Sequence, residues 1–165
     1  MLTFAPTNNV TVITKVLVMK NIDWANLKFG YMKTDYNVRC YYRNGKWGEI
    51  EVCSDENINL SMAATCLHYG QEAFEGLKAY RCPDGKVRVF RMDENAARLQ
   101  STCRGIMMPE VSTEMFEEMV TRVVRLNQEY IPTYESGATL YIRPLLIGTS
   151  AQVGVHPASE YMFLI

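Results

Sequence analysis

An α+β domain, a layered sandwich of a largely antiparallel sheet with flanking helices, is the fold class this sequence predicts. Three observations predict it: two β-rich runs folded around turn dipeptides, two polar-capped stretches with apolar residues at helical spacing, and two late apolar β-runs.

The elements follow in order. Arg39 to Tyr42 (RCYY), the turn pair Asn44-Gly45 and Trp47 to Val52 (WGEIEV) predict a hairpin, since Asn-Gly adopts the left-handed angles such turns demand. Leu77 to Arg81 and Val87 to Arg91 flank Pro83-Asp84-Gly85 and predict a second hairpin. Asp93 is placed to cap a helix running towards Arg104, with Ala96, Leu99, Cys103 and Ile106 as its buried stripe. Ser112 is placed to cap a second helix, with Glu114 in its first turn and an apolar stripe of Phe116, Met119, Val120, Val123 and Val124; Pro132 follows its end. Ala138 to Ile147 (ATLYIRPLLI) predicts a strand, and Tyr161 to Ile165 (YMFLI) the first part of another.

Composition excludes several function classes. The chain has 165 residues, 48% hydrophobic and 21% charged, as ordinary globular domains do. A net charge of −1 offers no electrostatic grip on nucleic acid or an anionic membrane. No apolar run approaches the roughly 18 residues needed to span a bilayer. Val10 to Met19 is mildly apolar, but Lys15 interrupts it and no small-residue cleavage site follows, so it is a poor signal peptide. Residues 1–20 are therefore expected to be an extension or loose tail, with Met19 as a natural start. Cys40, Cys53, Cys66, Cys82 and Cys103 are odd in number, scattered and free of a C-x-x-C pair, which implies reduced thiols in a cytoplasm. His68 and His156 lie too far apart for a local zinc motif, and no metal is expected.

Two places suggest anion binding. Along a strand, Thr139, Tyr141 and Arg143 share one face, so a phenol and a guanidinium stand side by side, a pairing suited to a carboxylate. An arginine at a sheet edge, paired with a local acid, fits the same pattern. Arg98 lies off the apolar stripe of its helix near Asn95, Ser101 and Thr102, where it can meet a phosphate or simply be solvated. The segment Leu67 to Tyr80 (LHYGQEAFEGLKAY) is dense in aromatics and glycines. Tyr69 and Phe74 can wall a small pocket there, or belong to an ordinary turn packed on a core. The ten methionines read as core filler.

Four blocks taken together are more specific. LKFGYMKTDYNVRCYYRNGKW (27–47), LHYGQEAFEGLKAYR (67–81), ENAARLQSTCRGIMMP (94–109) and YIRPLLIGTSAQVGV (141–155) resemble, in order and spacing, successive segments of branched-chain amino-acid aminotransferases. These are fold type IV enzymes dependent on pyridoxal 5'-phosphate, and the resemblance runs from about Ile22 to Ile165. It implies a family amino-terminal domain over residues 21–160, with 161–165 beginning the strand that leads to a carboxy-terminal domain.

The resemblance also implies roles. Arg98 matches the arginine that binds the cofactor phosphate. Phe29, Tyr69, Phe74 and Tyr141 match residues lining the pocket for the aliphatic side chain and the substrate carboxylate. Arg143 matches the arginine that helps hold the carboxylate, most clearly the second one of glutamate or 2-oxoglutarate. Val155, with Gly154, matches a loop that reaches into the partner subunit's site, so a cytoplasmic homodimer is implied. The reaction implied is transfer of an amino group from leucine, isoleucine or valine to 2-oxoglutarate, in branched-chain amino-acid biosynthesis. The family's Schiff-base lysine has no match among Lys15, Lys20, Lys28, Lys33, Lys46, Lys78 and Lys86, so the chain by itself is expected to be inactive. A non-catalytic binding or dimerisation domain is the alternative, and a D-amino-acid aminotransferase or aminodeoxychorismate lyase a lesser one.

Overall fold

A computed structural model describes residues 10–13, 19–28 and 30–165. It shows the expected mixture of antiparallel sheets and few helices, although the sheet is divided in two. Every ladder between its strands is antiparallel.

The first hairpin forms from β2 (Asn37–Arg43) and β3 (Lys46–Trp47), closed by Asn44 and Gly45 with φ of 52° and 76°. Its second arm is interrupted. After Gly48, whose N–H donates to the Tyr41 carbonyl at 2.8 Å, the chain resumes pairing with β2 only at β4 (Glu51–Cys53). The six-stranded sheet is completed by β5 (Glu72–Phe74), β9 (Leu145–Gly148) and β10 (Tyr161–Leu164), in the order β3-β2-β10-β9-β5 with β4 also on β2. The four-stranded sheet runs β1-β7-β6-β8, from β1 (Val10–Ile13), β6 (Leu77–Arg81), β7 (Val87–Phe90) and β8 (Leu140–Ile142). Val10–Ile13 thus form an edge strand within the expected extension.

The single strand expected over Ala138 to Ile147 is two strands in two sheets. Pro144 separates β8 from β9, because proline has no N–H to give a ladder. The partner chain bends at the same level. β5 pairs with β9 and β6 with β8, and Phe74↔Leu145 and Leu77↔Ile142 keep one register across the break. One kinked pair of strands therefore joins the two sheets, with Glu75-Gly76 on one side of the kink and Arg143-Pro144 on the other.

Helices α1 (Thr65–Tyr69), α2 (Met92–Gly105) and α3 (Thr113–Leu126) complete the fold. The Ser112 hydroxyl accepts from the Met115 N–H at 3.1 Å, and all five expected stripe residues of α3 are buried. Two expectations for α2 are corrected. The helix starts two residues earlier than a cap at Asp93 allows: Arg91, at φ 50°, holds the cap position and Asp93 lies in the first turn. Ile106 is 38% exposed beyond the helix end, and Met92 joins Ala96, Leu99 and Cys103 in the buried stripe. The stripes of α2 and α3 and the inner faces of both sheets make one core, within which Phe116 stacks on Phe163 with centroids 6.1 Å apart.

Among the described residues no helix is long and apolar enough to cross a membrane, and no cluster of His, Cys, Asp and Glu is arranged to hold a metal ion. The five cysteines are free thiols.

Candidate functional site

The kink between the sheets is where the candidate side chains collect. On the β5–β6 strand the side chains of Ala73, Glu75, Leu77 and Ala79 all point inward and are buried. A carboxylate in that phase is costly unless a cation and hydrogen bonds meet it. Arg98 meets it from α2: its Nε and Nη2 donate to the two oxygens of Glu75 at 2.8 and 2.5 Å. Asn95, one turn earlier on α2, donates to the same carboxylate at 2.8 Å and to the Gly76 carbonyl at 3.4 Å. Burial works to raise the Glu75 pKa, but the hydrogen bonds from Arg98 and Asn95 outweigh it, and the carboxyl is held below its ordinary value. The two partners differ in exposure: Glu75 is 3% exposed and the Arg98 side chain 68%.

Arg143 and Tyr141 form a second group. The Arg143 Nε and Nη2 donate to the Tyr141 hydroxyl at 3.2 and 2.8 Å, and the guanidinium lies 4.3 Å from the centre of the Phe74 ring. Stacking on an aromatic face orients a guanidinium while leaving donors free for a planar anion. The Tyr141 hydroxyl lies close over Gly76, where a Cβ would stand 2.7 Å from it. An open cleft of about 300 Å³ lies beside this group, lined in part by Gly76, Lys78, Tyr80, Phe90, Asn95 and Tyr141.

The kink couples the two groups. The Glu75 N–H donates to the Pro144 carbonyl at 2.9 Å, so the residue that holds Arg98 is also bound to the residue following Arg143.

The remaining expected residues stand elsewhere. Tyr69 ends α1, and its hydroxyl donates to the Val153 carbonyl, so its polar contact ties it to the loop carrying Val155. Val155 is 89% exposed. Phe29 lies outside the described residues. Reading the sequence by residue type left out Glu75 and the support Asn95 gives it. A signal was present, because the alternation that buries Ala73, Leu77 and Ala79 puts Glu75 in phase with them.

Comparison with known proteins finds relatives for the chain as a whole. No family model matches the chain. A branched-chain-amino-acid aminotransferase of Helicobacter pylori is 47% identical over 147 residues, covering 89% of this chain and 43% of that protein. A chloroplastic branched-chain-amino-acid aminotransferase of Arabidopsis thaliana is 43% identical over 154 residues, covering 92% and 37%. Among solved structures, the branched-chain amino acid aminotransferase of Escherichia coli superposes with a TM-score of 0.62 at 28% identity, over 81% of this chain and 40% of that one. A second solved branched-chain amino acid aminotransferase, complexed with N-(5'-phosphopyridoxyl)-L-glutamate, gives 0.59 at 27% identity, over 81% and 42%. The chain spans about two fifths of the length of these relatives, and over that span it is similar to branched-chain amino-acid aminotransferases.

Proposed function

We propose that this chain forms the amino-terminal domain of a branched-chain amino-acid transaminase. In that reading the whole protein moves an amino group from leucine, isoleucine or valine to 2-oxoglutarate. The observation that carries it is the pair of arginine groups at the kink: one guanidinium anchored to a buried carboxylate and mostly exposed, the other stacked on an aromatic ring beside a phenol.

Pyridoxal 5'-phosphate is the cofactor of this reading, and the donor set fits it. Arg98 has its Nε edge engaged by Glu75 and presents the rest of the fork outward, suited to a phosphate. When bound, the cofactor supplies an electron sink for the bond changes at the amino-acid Cα. Arg143 receives a substrate carboxylate, the second carboxylate of 2-oxoglutarate or glutamate above all. Tyr141 orients that guanidinium through its hydroxyl, and Phe74 and Tyr141 offer apolar surface to a branched alkyl chain. Tyr69 and Phe29 are assigned to the same side-chain pocket. In this reading the lysine that would hold the cofactor is not among Lys15, Lys20, Lys28, Lys33, Lys46, Lys78 and Lys86.

Residues 21–160 are assigned to the domain proper, with 1–20 an extension and 161–165 leading towards the following domain. A cytoplasmic homodimer completes the proposal, with the Val155 loop reaching towards the partner's site; the 89% exposure of Val155 supports this.

The test is Arg143→Ala in the full-length protein. The Michaelis constant for 2-oxoglutarate rises about tenfold or more, the size of losing a charge-assisted pairing, while that for leucine changes less. An unchanged constant for 2-oxoglutarate removes the carboxylate role of Arg143.

A further inference from the structure

The Arg98 and Arg143 groups share one support. Of the five N–H donors of Arg98, the Nε donor and one on Nη2 go to Glu75, so three remain, two of them on Nη1. The side-on grip therefore fixes which edge of the fork an incoming anion meets. Glu75 itself is immobilised: Asn95 donates to its carboxylate, its N–H is bound to Pro144, and its side chain is 3% exposed. Its chain neighbour Phe74 carries the Arg143 guanidinium on its ring.

We propose that Glu75 is a positioning residue that pre-orients Arg98 for the cofactor phosphate and ties it, through Phe74 and Pro144, to the substrate-binding Arg143. The inference rests on the roles given above to Arg98 and Arg143.

Two effects oppose each other here. The negative charge of Glu75 weakens the pull of Arg98 on a phosphate, whereas its bidentate grip removes the disorder of a long side chain before the phosphate arrives. Because Glu75 is buried and held by its own partners, it cannot swing aside as a mobile competitor would, and orientation dominates. The sign of the effect of Glu75→Gln separates the two. A competitor's removal tightens phosphate binding, and a support's removal weakens it.

The experiment uses the full-length protein stripped of cofactor. Dissociation constants are measured for pyridoxal 5'-phosphate and for pyridoxal, which lacks the phosphate, in the parent and in Glu75→Gln, Glu75→Asp and Arg98→Ala. The phosphorus resonance of the bound cofactor is recorded alongside. Glu75→Gln is expected to weaken pyridoxal 5'-phosphate about tenfold, leave pyridoxal unchanged and move the resonance, with Glu75→Asp in between. If Arg98→Ala weakens the phosphorylated cofactor but Glu75→Gln leaves it unchanged or tightens it, the positioning role is overturned and the cofactor reading stands. Equal losses for both ligands in Glu75→Gln overturn it as well, since they mark general damage. If Arg98→Ala changes nothing, the phosphate role of Arg98 falls and this inference with it. Should Glu75→Gln not fold, Glu75→Asp is judged by the same outcomes with a smaller factor.

Discussion

Gly76 shows how tightly single residues are placed at the kink. The Tyr141 hydroxyl lies where an alanine Cβ would come within 2.7 Å, and the ring atoms Cε2 and Cζ would be 3.4 Å away. Tyr141 is exposed and its hydroxyl accepts two bonds from Arg143, so it yields only by disturbing that pair. Gly76→Ala should therefore destabilise the protein by no more than about 1 kcal/mol, the order of the hydrogen bonding disturbed. Urea unfolding measures it, and an unchanged midpoint would show that the tyrosine moves aside without cost. At this scale the sequence was partly legible. Residue types alone left Arg98 open between a phosphate ligand and a solvated side chain, and Arg143 between a carboxylate ligand and a sheet-edge ion pair; in the structure one edge of Arg98 pairs with Glu75 and its side chain is otherwise mostly exposed. Glu75 was legible only from its phase. Its importance depends on an arginine 23 positions away, a distance no local pattern spans.

The elements divide by how local their causes are. Helix α3 could be read in full, since a serine cap and a five-residue stripe are written into adjacent positions, and all of them behave as their spacing demands. The turn at Asn44-Gly45 was equally legible, as positive φ at both residues is a local property. The start of α2 was misplaced, because aspartate is a common cap and arginine at φ 50° is not. The division of Ala138 to Ile147 was missed for a related reason. An apolar run tells how much is buried, not in which sheet, and only Pro144 marked the change. The cap of α3 gives the test at this scale. Ser112→Ala removes the acceptor of the Met115 N–H and should cost about 1 kcal/mol, visible as a lower melting temperature. An unaltered melt would show that water replaces the hydroxyl fully.

At the scale of the whole molecule, two sheets and two long helices enclose one core, and the kinked strand pair between the sheets is where the candidate side chains gather. The arrangement explains why those residues come from separate stretches of sequence: β5–β6 supplies Phe74, Glu75 and Gly76, α2 supplies Asn95 and Arg98, and β8–β9 supplies Tyr141, Arg143 and Pro144. Each group stands on a strand end or a helix, as the proposed roles in holding a phosphate and a carboxylate require. The likeness to branched-chain aminotransferases covers nearly all of this chain and about two fifths of theirs, and the proposed transaminase activity is one of the whole protein. The most direct measurement loads that protein with pyridoxal 5'-phosphate and supplies leucine and 2-oxoglutarate. The account predicts that glutamate and the branched 2-oxo acid appear in equal amounts, with isoleucine and valine also serving as donors. No glutamate from any of the three, or transfer from D-alanine alone, would contradict it.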